Sequence, residues 1–164
     1  VLKAKHMADE GSKASEIAEY LEKDKYNSSI YVSVENLDYL KKGGRITPAV
    51  AAIASILKIK PVLSIQGEKL DSYAKIRGNM YRCEMKMLDA IKTDIEKRFN
   101  QPNVALLHVG TAGFGITKDQ ADKWLEMTKE AFPNADVYYD ELPASIGTHT
   151  GPGTVGIGLS VDYE

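Results

Sequence analysis

The sequence has little sulfur chemistry to offer. Its one cysteine, Cys83, excludes an internal disulfide and a cysteine-based zinc set, and it fits a reducing compartment, so a cytoplasmic location is expected. An excess of one charge is also lacking. The 21 basic residues stand against 23 acidic ones, for a net charge of −2, and the lysines are spread along the chain. A phosphate backbone needs a basic stripe, so nucleic acid is not an expected partner. Long hydrophobic runs are missing too. The longest small or apolar stretch, Ala49 to Leu57, is about half the roughly 20 residues that a spanning helix requires, so no integral membrane segment is expected. There is no internal repeat and no low-complexity segment. What is left is an ordinary globular composition, 43% apolar and 27% charged over 164 residues, long enough for a core without metal or disulfide support.

The chain opens on Val1 already inside a helical pattern with no preceding cap, as a piece of a longer chain would. Val1 to Glu10 reads as the end of a helix closed by Gly11, and Ser12 or Ser15 caps a second helix with Ile17, Ala18 and Leu21 on one face. The β-branched and aromatic residues of "SIYVSVE" make a strand, after which Asn36 caps "LDYLKK" and the pair Gly43-Gly44 ends it. Thr47-Pro48 then starts "AVAAIASIL", apolar enough to be a buried helix. "KPVLSIQ" and "KLDSYAKIR" flank Gly67 and Glu68 as an antiparallel hairpin. Met80, Met87, Leu88, Ile91, Ile95 and Phe99 recur at helical spacing as the core stripe of a long helix. "VALLHVG" reads as a strand buried on both faces, and "GTAGFG" after it as a connecting loop or, less simply, an anion site. Thr117 and Gln120 form a capping box for a helix that turns Trp124, Leu125 and Phe132 inward. "DVYYDEL" and "TVGIGLSVD" supply two further strands. The fold class is therefore α/β, with a mixed, partly antiparallel sheet covered by helices.

Three constellations could carry chemistry. "GPGTVG", Gly151 to Gly156, has the spacing of a dinucleotide fingerprint, but a strand follows where that motif needs a helix. Ser145 and His149 lie four residues apart and invite an acyl hydrolase reading. Against it, both sit in one glycine-containing loop, no G-x-S-x-G elbow is present, and the acids Asp140 and Glu141 cannot be placed beside the imidazole. His6 and His108 read as helix-surface and strand-end residues without metal-ligand company. The third constellation pairs "YLKKGGRITPAVAAI" with "ASIGTHTGPGTVGIG". Each brings one cationic or potentially cationic group, Arg45 or His149, to a glycine-loosened backbone, and together they could hold an anion at the mouth of an apolar space. The plainer alternative is that Arg45 pairs with a surface carboxylate and His149 caps a turn.

At these segments the sequence resembles a known family. "LDYLKKGGRI", Leu37 to Ile46, and "ASIGTHTGPG", Ala144 to Gly153, are similar to signature stretches of the DegV family, bacterial fatty-acid-binding proteins that serve as the lipid-carrying subunit of fatty acid kinase. The resemblance runs over essentially the whole chain. It implies a two-domain protein, with residues 1–26 a helical segment continuing from an N-terminal domain and 27–164 a C-terminal α/β lipid-binding domain. A long-chain fatty acid would lie between the domains, its carboxylate held by hydroxyls of the N-terminal domain and by Arg45 and His149, with Ile146, Gly147 and Thr148 beside the histidine. The resemblance implies no catalytic residue, metal or cofactor. The domain would present its ligand to a separate fatty acid kinase, and Arg77 is a candidate to dock that partner, with a plain solvated arginine as the alternative. An acyl hydrolase built on Ser145 and His149 and a ligand-free structural fragment are the alternatives.

Overall fold

The described residues build one six-stranded sheet, in which β-branched and aromatic residues recur. The computed structural model describes residues 2–47, 50, 59–65, 70–99 and 107–161. In chain order the elements are α1 Leu2–Asp9, α2 Ala14–Asp24, β1 Ser28–Ser33, α3 Asp38–Lys42, β2 Ile59–Ile65, β3 Leu70–Arg77, α4 Met80–Lys97, β4 Leu107–Phe114, α5 Lys118–Ala131, β5 Asp136–Glu141, α6 Ala144–Thr150 and β6 Thr154–Val161. The strand order is β3-β2-β1-β6-β4-β5. All neighbours run antiparallel except β4 and β5, whose parallel pairing needs a crossover connection, which α5 supplies. The chain thus adopts the expected mixed, partly antiparallel α/β fold.

The period of two along each strand decides which face the long helices cover. Val155, Ile157, Leu159 and Val161 of β6 join Leu107, Val109 and Tyr31 in one buried cluster with Met87, Leu88 and Ile91 of α4 and Trp124 of α5. Full burial contributes on the order of 1.5–3 kcal/mol for each large apolar side chain. Trp124 keeps its polar atom satisfied by donating from Nε1 to the Gly156 carbonyl at 3.1 Å. A smaller cluster, Val32, Val34, Leu37, Leu40, Val50 and Leu63, gathers near α3. Val32 alternates with the Tyr31 of the first cluster, so the two clusters lie on opposite faces of the sheet.

One polar group interrupts the apolar stripe of α4. The carboxylate of Asp94 is buried, accepts from Ser29 Oγ and from Tyr31 Oη at 2.8 Å, and stands 3.3 Å from Arg98 Nη1. Arg98 in turn donates to Ser29 Oγ and to the Tyr26 carbonyl, both at 2.8 Å. This network ties α4 to β1. Burial, and then the hydrogen bond to Asp94, hold the Tyr31 phenol well above its usual pKa.

Several sequence expectations are corrected. The N-cap of α2 is Lys13, not Ser12 or Ser15, because the Glu16 carboxylate reaches back to the Lys13 N–H at 2.7 Å and supplies the missing partner. β4 continues through "GTAGF" instead of giving way to a loop. Backbone pairing with β6 runs unbroken from Leu107↔Val161 to Phe114↔Thr154, and ladder bonds do not need large side chains. Nor is β4 buried on both faces: Leu107, Val109, Thr111 and Gly113 are buried, while the residues between them are half-buried. Leu125 is also half-buried, since the inward stripe of α5 falls on Trp124 and Thr128, one turn apart. The N-cap of α3 is Leu37 and not Asn36, although Asn36 Oδ1 accepts the Asp38 N–H at 2.7 Å. The helix expected over "AVAAIASIL" and the turn at Gly67-Glu68 lie outside the described residues, although the Val50 N–H reaches Thr47 Oγ1 at 3.4 Å, as an N-cap would allow.

Removing the buried carboxylate leaves Ser29, Tyr31 and Arg98 without their acceptor, so Asp94→Ala should cost on the order of 3 kcal/mol in denaturant unfolding. Because the folded state raises the Tyr31 pKa, its contribution to stability is fully present below about pH 10, the unfolded value, and is lost as pH rises above it. Tyr31→Phe should flatten that alkaline fall in stability.

Candidate functional site

On the sheet face turned away from α4 and α5 lies a cleft of about 500 Å³. Its floor is formed where β1, β6 and β4 run side by side. Ile30 pairs with Gly158, which pairs with Gly110, and Val32 pairs with Gly156, which pairs with Ala112. Four of these six floor positions are thus glycine or alanine, and of the three glycines only Gly110 is closely covered by a described side chain, the ring of Tyr138. Leu40, Ile65, Leu70 and Leu142 contribute apolar walls, and Arg45, Ser145, Ile146 and His149 also belong to the lining. A second depression, about 410 Å³, lies between α4 and α5 on the other side of the sheet and is rimmed by Glu84, Lys123, Glu126 and Glu130. Burial raises the pKa of Glu84 there.

Two local structures bring the cationic residues to the cleft. α3 ends at Gly43, and Gly44 takes φ +64°, which a side chain would resist. The chain then turns so that the Arg45 N–H donates to the Leu40 carbonyl at 3.2 Å and the Arg45 carbonyl accepts the Leu70 N–H at 3.3 Å. Among the described residues the guanidinium itself reaches only the Gly43 carbonyl, at 3.4 Å, and has no carboxylate partner. His149 sits on α6. The segment "ASIGTHT", expected as a loop, is a helix because its ends are fixed on both sides. Pro143 stands at its N-cap, and Gly151 at φ +79° closes it by donating its N–H to the Gly147 carbonyl at 2.8 Å. Propensity alone would not form it, since glycine and threonine are poor helix formers. Tertiary contact does. A Cβ on Gly151 would lie 2.5 Å from the Tyr39 ring, one on Gly147 would collide with Phe114, and one on Gly43 would lie 2.7 Å from His149 Nδ1. These glycines let α3, β4 and α6 interlock.

The structure therefore brings Arg45, Ile146 and His149 to one cleft, with His149 half-buried and, among the described residues, neither ring nitrogen hydrogen-bonded. Gly147 and Thr148 do not line it. Gly147 is buried against Phe114, and Thr148 is exposed and donates to the Ser145 carbonyl at 3.2 Å. Arg77 is exposed at the end of β3, away from the lining, and its carbonyl accepts from Arg82 Nη1 at 3.2 Å. Ser145 and His149 share a face of α6 one turn apart, yet among the described residues no hydrogen bond joins them and no carboxylate orients the imidazole. His6 faces Glu10 at 3.4 Å on a helix surface, and His108 Nδ1 lies 3.0 Å from Asp136 near the start of β4. Among the described residues no group of three His, Cys, Asp or Glu could hold a metal ion, and no helix is long and apolar enough to cross a membrane. Sequence reasoning missed the floor, Gly110, Ala112, Gly156 and Gly158. Its signal was present in "TVGIGLSVD", where glycine alternates with Val, Ile and Leu.

The α/β sheet thus carries on one face an apolar cleft whose lining includes one arginine and one histidine, and its volume lies in the range of small-molecule sites. Residues 1–162 match the family described as "Uncharacterised protein, DegV family", and the chain belongs to the DegV family. It is 33% identical over 155 residues to a DegV domain-containing protein of Clostridium perfringens, covering 94% of this chain and 50% of that one. The chain thus spans about half the length of the curated relatives it matches. In structure it is similar to DegV, a fatty acid binding protein from Bacillus subtilis, with a TM-score of 0.78 and 27% identity over 98% of this chain and 55% of that one. A fatty-acid-binding DegV family protein from Thermus thermophilus gives a TM-score of 0.79 and 26% identity over 98% of this chain and 55% of that one.

If Gly43 is glycine to seat the imidazole, Gly43→Ala should displace the ring. The ¹H–¹⁵N signals of His149 should shift while backbone signals outside α3 and α6 stay in place, at a stability cost of about 1 kcal/mol.

Proposed function

We propose that this domain holds a long-chain fatty acid, its hydrocarbon tail along the floor of the cleft and its carboxylate between Arg45 and His149. The observation that carries this reading is the pairing of an apolar cleft of about 500 Å³ with two donors in its lining that no carboxylate of the described residues engages. Burying some 14 methylenes of a 16-carbon acid would contribute on the order of 11 kcal/mol gross, at about 0.8 kcal/mol each. The tail supplies ample affinity, but the headgroup is costly, because a carboxylate leaving water must be paired and hydrogen-bonded. Arg45 offers a permanent charge and a planar fork, and His149 a ring donor. Similarity to relatives that bind fatty acids supports the same ligand here. No cofactor has a role in this scheme.

The relatives are about twice as long as this chain, which supports the view that residues 27–164 form the C-terminal lipid-binding domain and 1–26 lead into it from an N-terminal domain. That domain would close the open side of the cleft and add hydroxyl donors to the carboxylate. In this reading the protein performs no reaction itself. It works in the cytoplasm and presents the acid to a separate fatty acid kinase, with Arg77 on an exposed strand end as the docking charge.

Arg45→Ala and His149→Ala, made in the full-length protein, should each weaken binding of palmitate by on the order of 1.5–3 kcal/mol, the range for hydrogen bonds to a charged group, with an unchanged unfolding midpoint. Isothermal calorimetry measures it, and wild-type affinity in both variants would reject the assignment.

A rim charge acts more on association than on packing. Arg77→Ala should therefore leave palmitate affinity within about twofold of wild type while slowing acyl phosphate formation by the kinase about tenfold, an effect that added salt should mimic in the wild type. Palmitate affinity falling in step with phosphorylation would place Arg77 in the pocket instead.

A further inference from the structure

We infer that Gly156 and Gly158 are specificity-determining residues, kept without side chains so that the middle of a long acyl chain can lie directly on the sheet. The inference rests on the fatty-acid reading above and names the part of the cleft that selects tail length. A glycine inside a strand weakens it, because it gives up backbone entropy and packs nothing. Two glycines with one residue between them, in a strand paired on both sides, therefore call for a reason. Backbone conformation is not the reason, since neither residue is among the glycines with positive φ. Crowding is not the reason either. Among the described residues, a Cβ on Gly156 would meet nothing closer than the Tyr31 carbonyl oxygen at 3.4 Å, and one on Gly158 nothing closer than the Ser29 carbonyl oxygen at 3.8 Å, both ordinary contacts.

The contrast with other glycines is direct. At Gly147 a methyl group would collide with Phe114, and at Gly110 it would meet the Tyr138 ring at 2.9 Å, so protein atoms already claim those spaces. The space above Gly156 and Gly158 is the cleft itself, which both residues line. Side chains here would rise from the centre of the floor, between Ile30 and Gly110 on one row and Val32 and Ala112 on the next. The fold would accept them, and a long ligand would not.

The test compares Gly158→Ala, Gly158→Val and Gly156→Ala in the full-length protein. Palmitate and decanoate binding are measured by calorimetry and the melting temperature by scanning calorimetry. A side chain in a strand raises β propensity and narrows the unfolded ensemble, so the melting temperature should hold level or rise. Palmitate should bind about tenfold more weakly to Gly158→Val and by an intermediate amount to the alanine variants, whereas decanoate, which reaches less of the floor, should lose less than about threefold. Unchanged palmitate affinity in all three variants overturns the inference. So does an equal loss for both acids, and so does a loss that appears only with a lowered melting temperature, which would make the glycines a requirement of the fold. A wild-type protein that binds neither acid would instead remove the fatty-acid reading itself.

Discussion

Side chains along a strand alternate between its faces, and in Thr154–Val161 that alternation also sorts residues by size. Val155, Ile157, Leu159 and Val161 fall on the side of α4 and α5, while glycines fall between Val155 and Leu159 on the other side. β6 lies between β1 and β4, so the division is carried into its neighbours, where Tyr31 and Val109 face the helices and Val32 and Ala112 face the cleft. Slipping the register by one residue would send glycines into the core and leucine into the cleft. Stability and the shape of the candidate site thus rest on one pairing pattern. Trp124 reinforces it by bonding the carbonyl of Gly156 from the core side.

The two polar constellations differ in a way that matches their positions. Around Asp94 the hydroxyls of Ser29 and Tyr31 and the guanidinium of Arg98 meet one carboxylate, and the network closes on itself. Such a group holds elements together because every member has a protein partner. Arg45 and His149 are arranged differently. Their backbones are pinned by the ends of α3 and α6, yet their charged or ring atoms lack a carboxylate among the described residues, and they line the apolar cleft. In the proposed complex the backbones of both residues would already be fixed, and only their side chains would remain to be ordered.

Much of this was legible in the residues. Helical spacing from Met80 to Phe99, the Thr117–Gln120 capping box and the hairpin of β2 and β3 all appear where local patterning put them. Arg45 and His149 were also singled out, each beside glycines that the backbone requires. What escaped were features created by distant contact. α6 is a helix because Tyr39 and Phe114 fill the spaces beside its glycines, a fact no propensity contains. Asp94 gives no sign of burial in a helix that carries many charges, since its partners Ser29 and Tyr31 stand 65 and 63 residues before it. "GTAGF" passed for a loop because its residues are small, although β6 pairs with every one of them.

The pairing of β1 with β6 has a consequence for how the molecule comes into being. Ser28 meets Ser160 and Ser33 meets Val155, so the centre of the sheet joins opposite ends of the described sequence. Contacts of such high order are entropically late, and they cannot form while a ribosome still holds the downstream strand. Before that release β1 and β2 can pair, but the edge of β1 that β6 will occupy stays open, a sticky surface at the moment of synthesis when aggregation competes most strongly. The strand that completes the cleft floor is therefore also the one that ends this exposure.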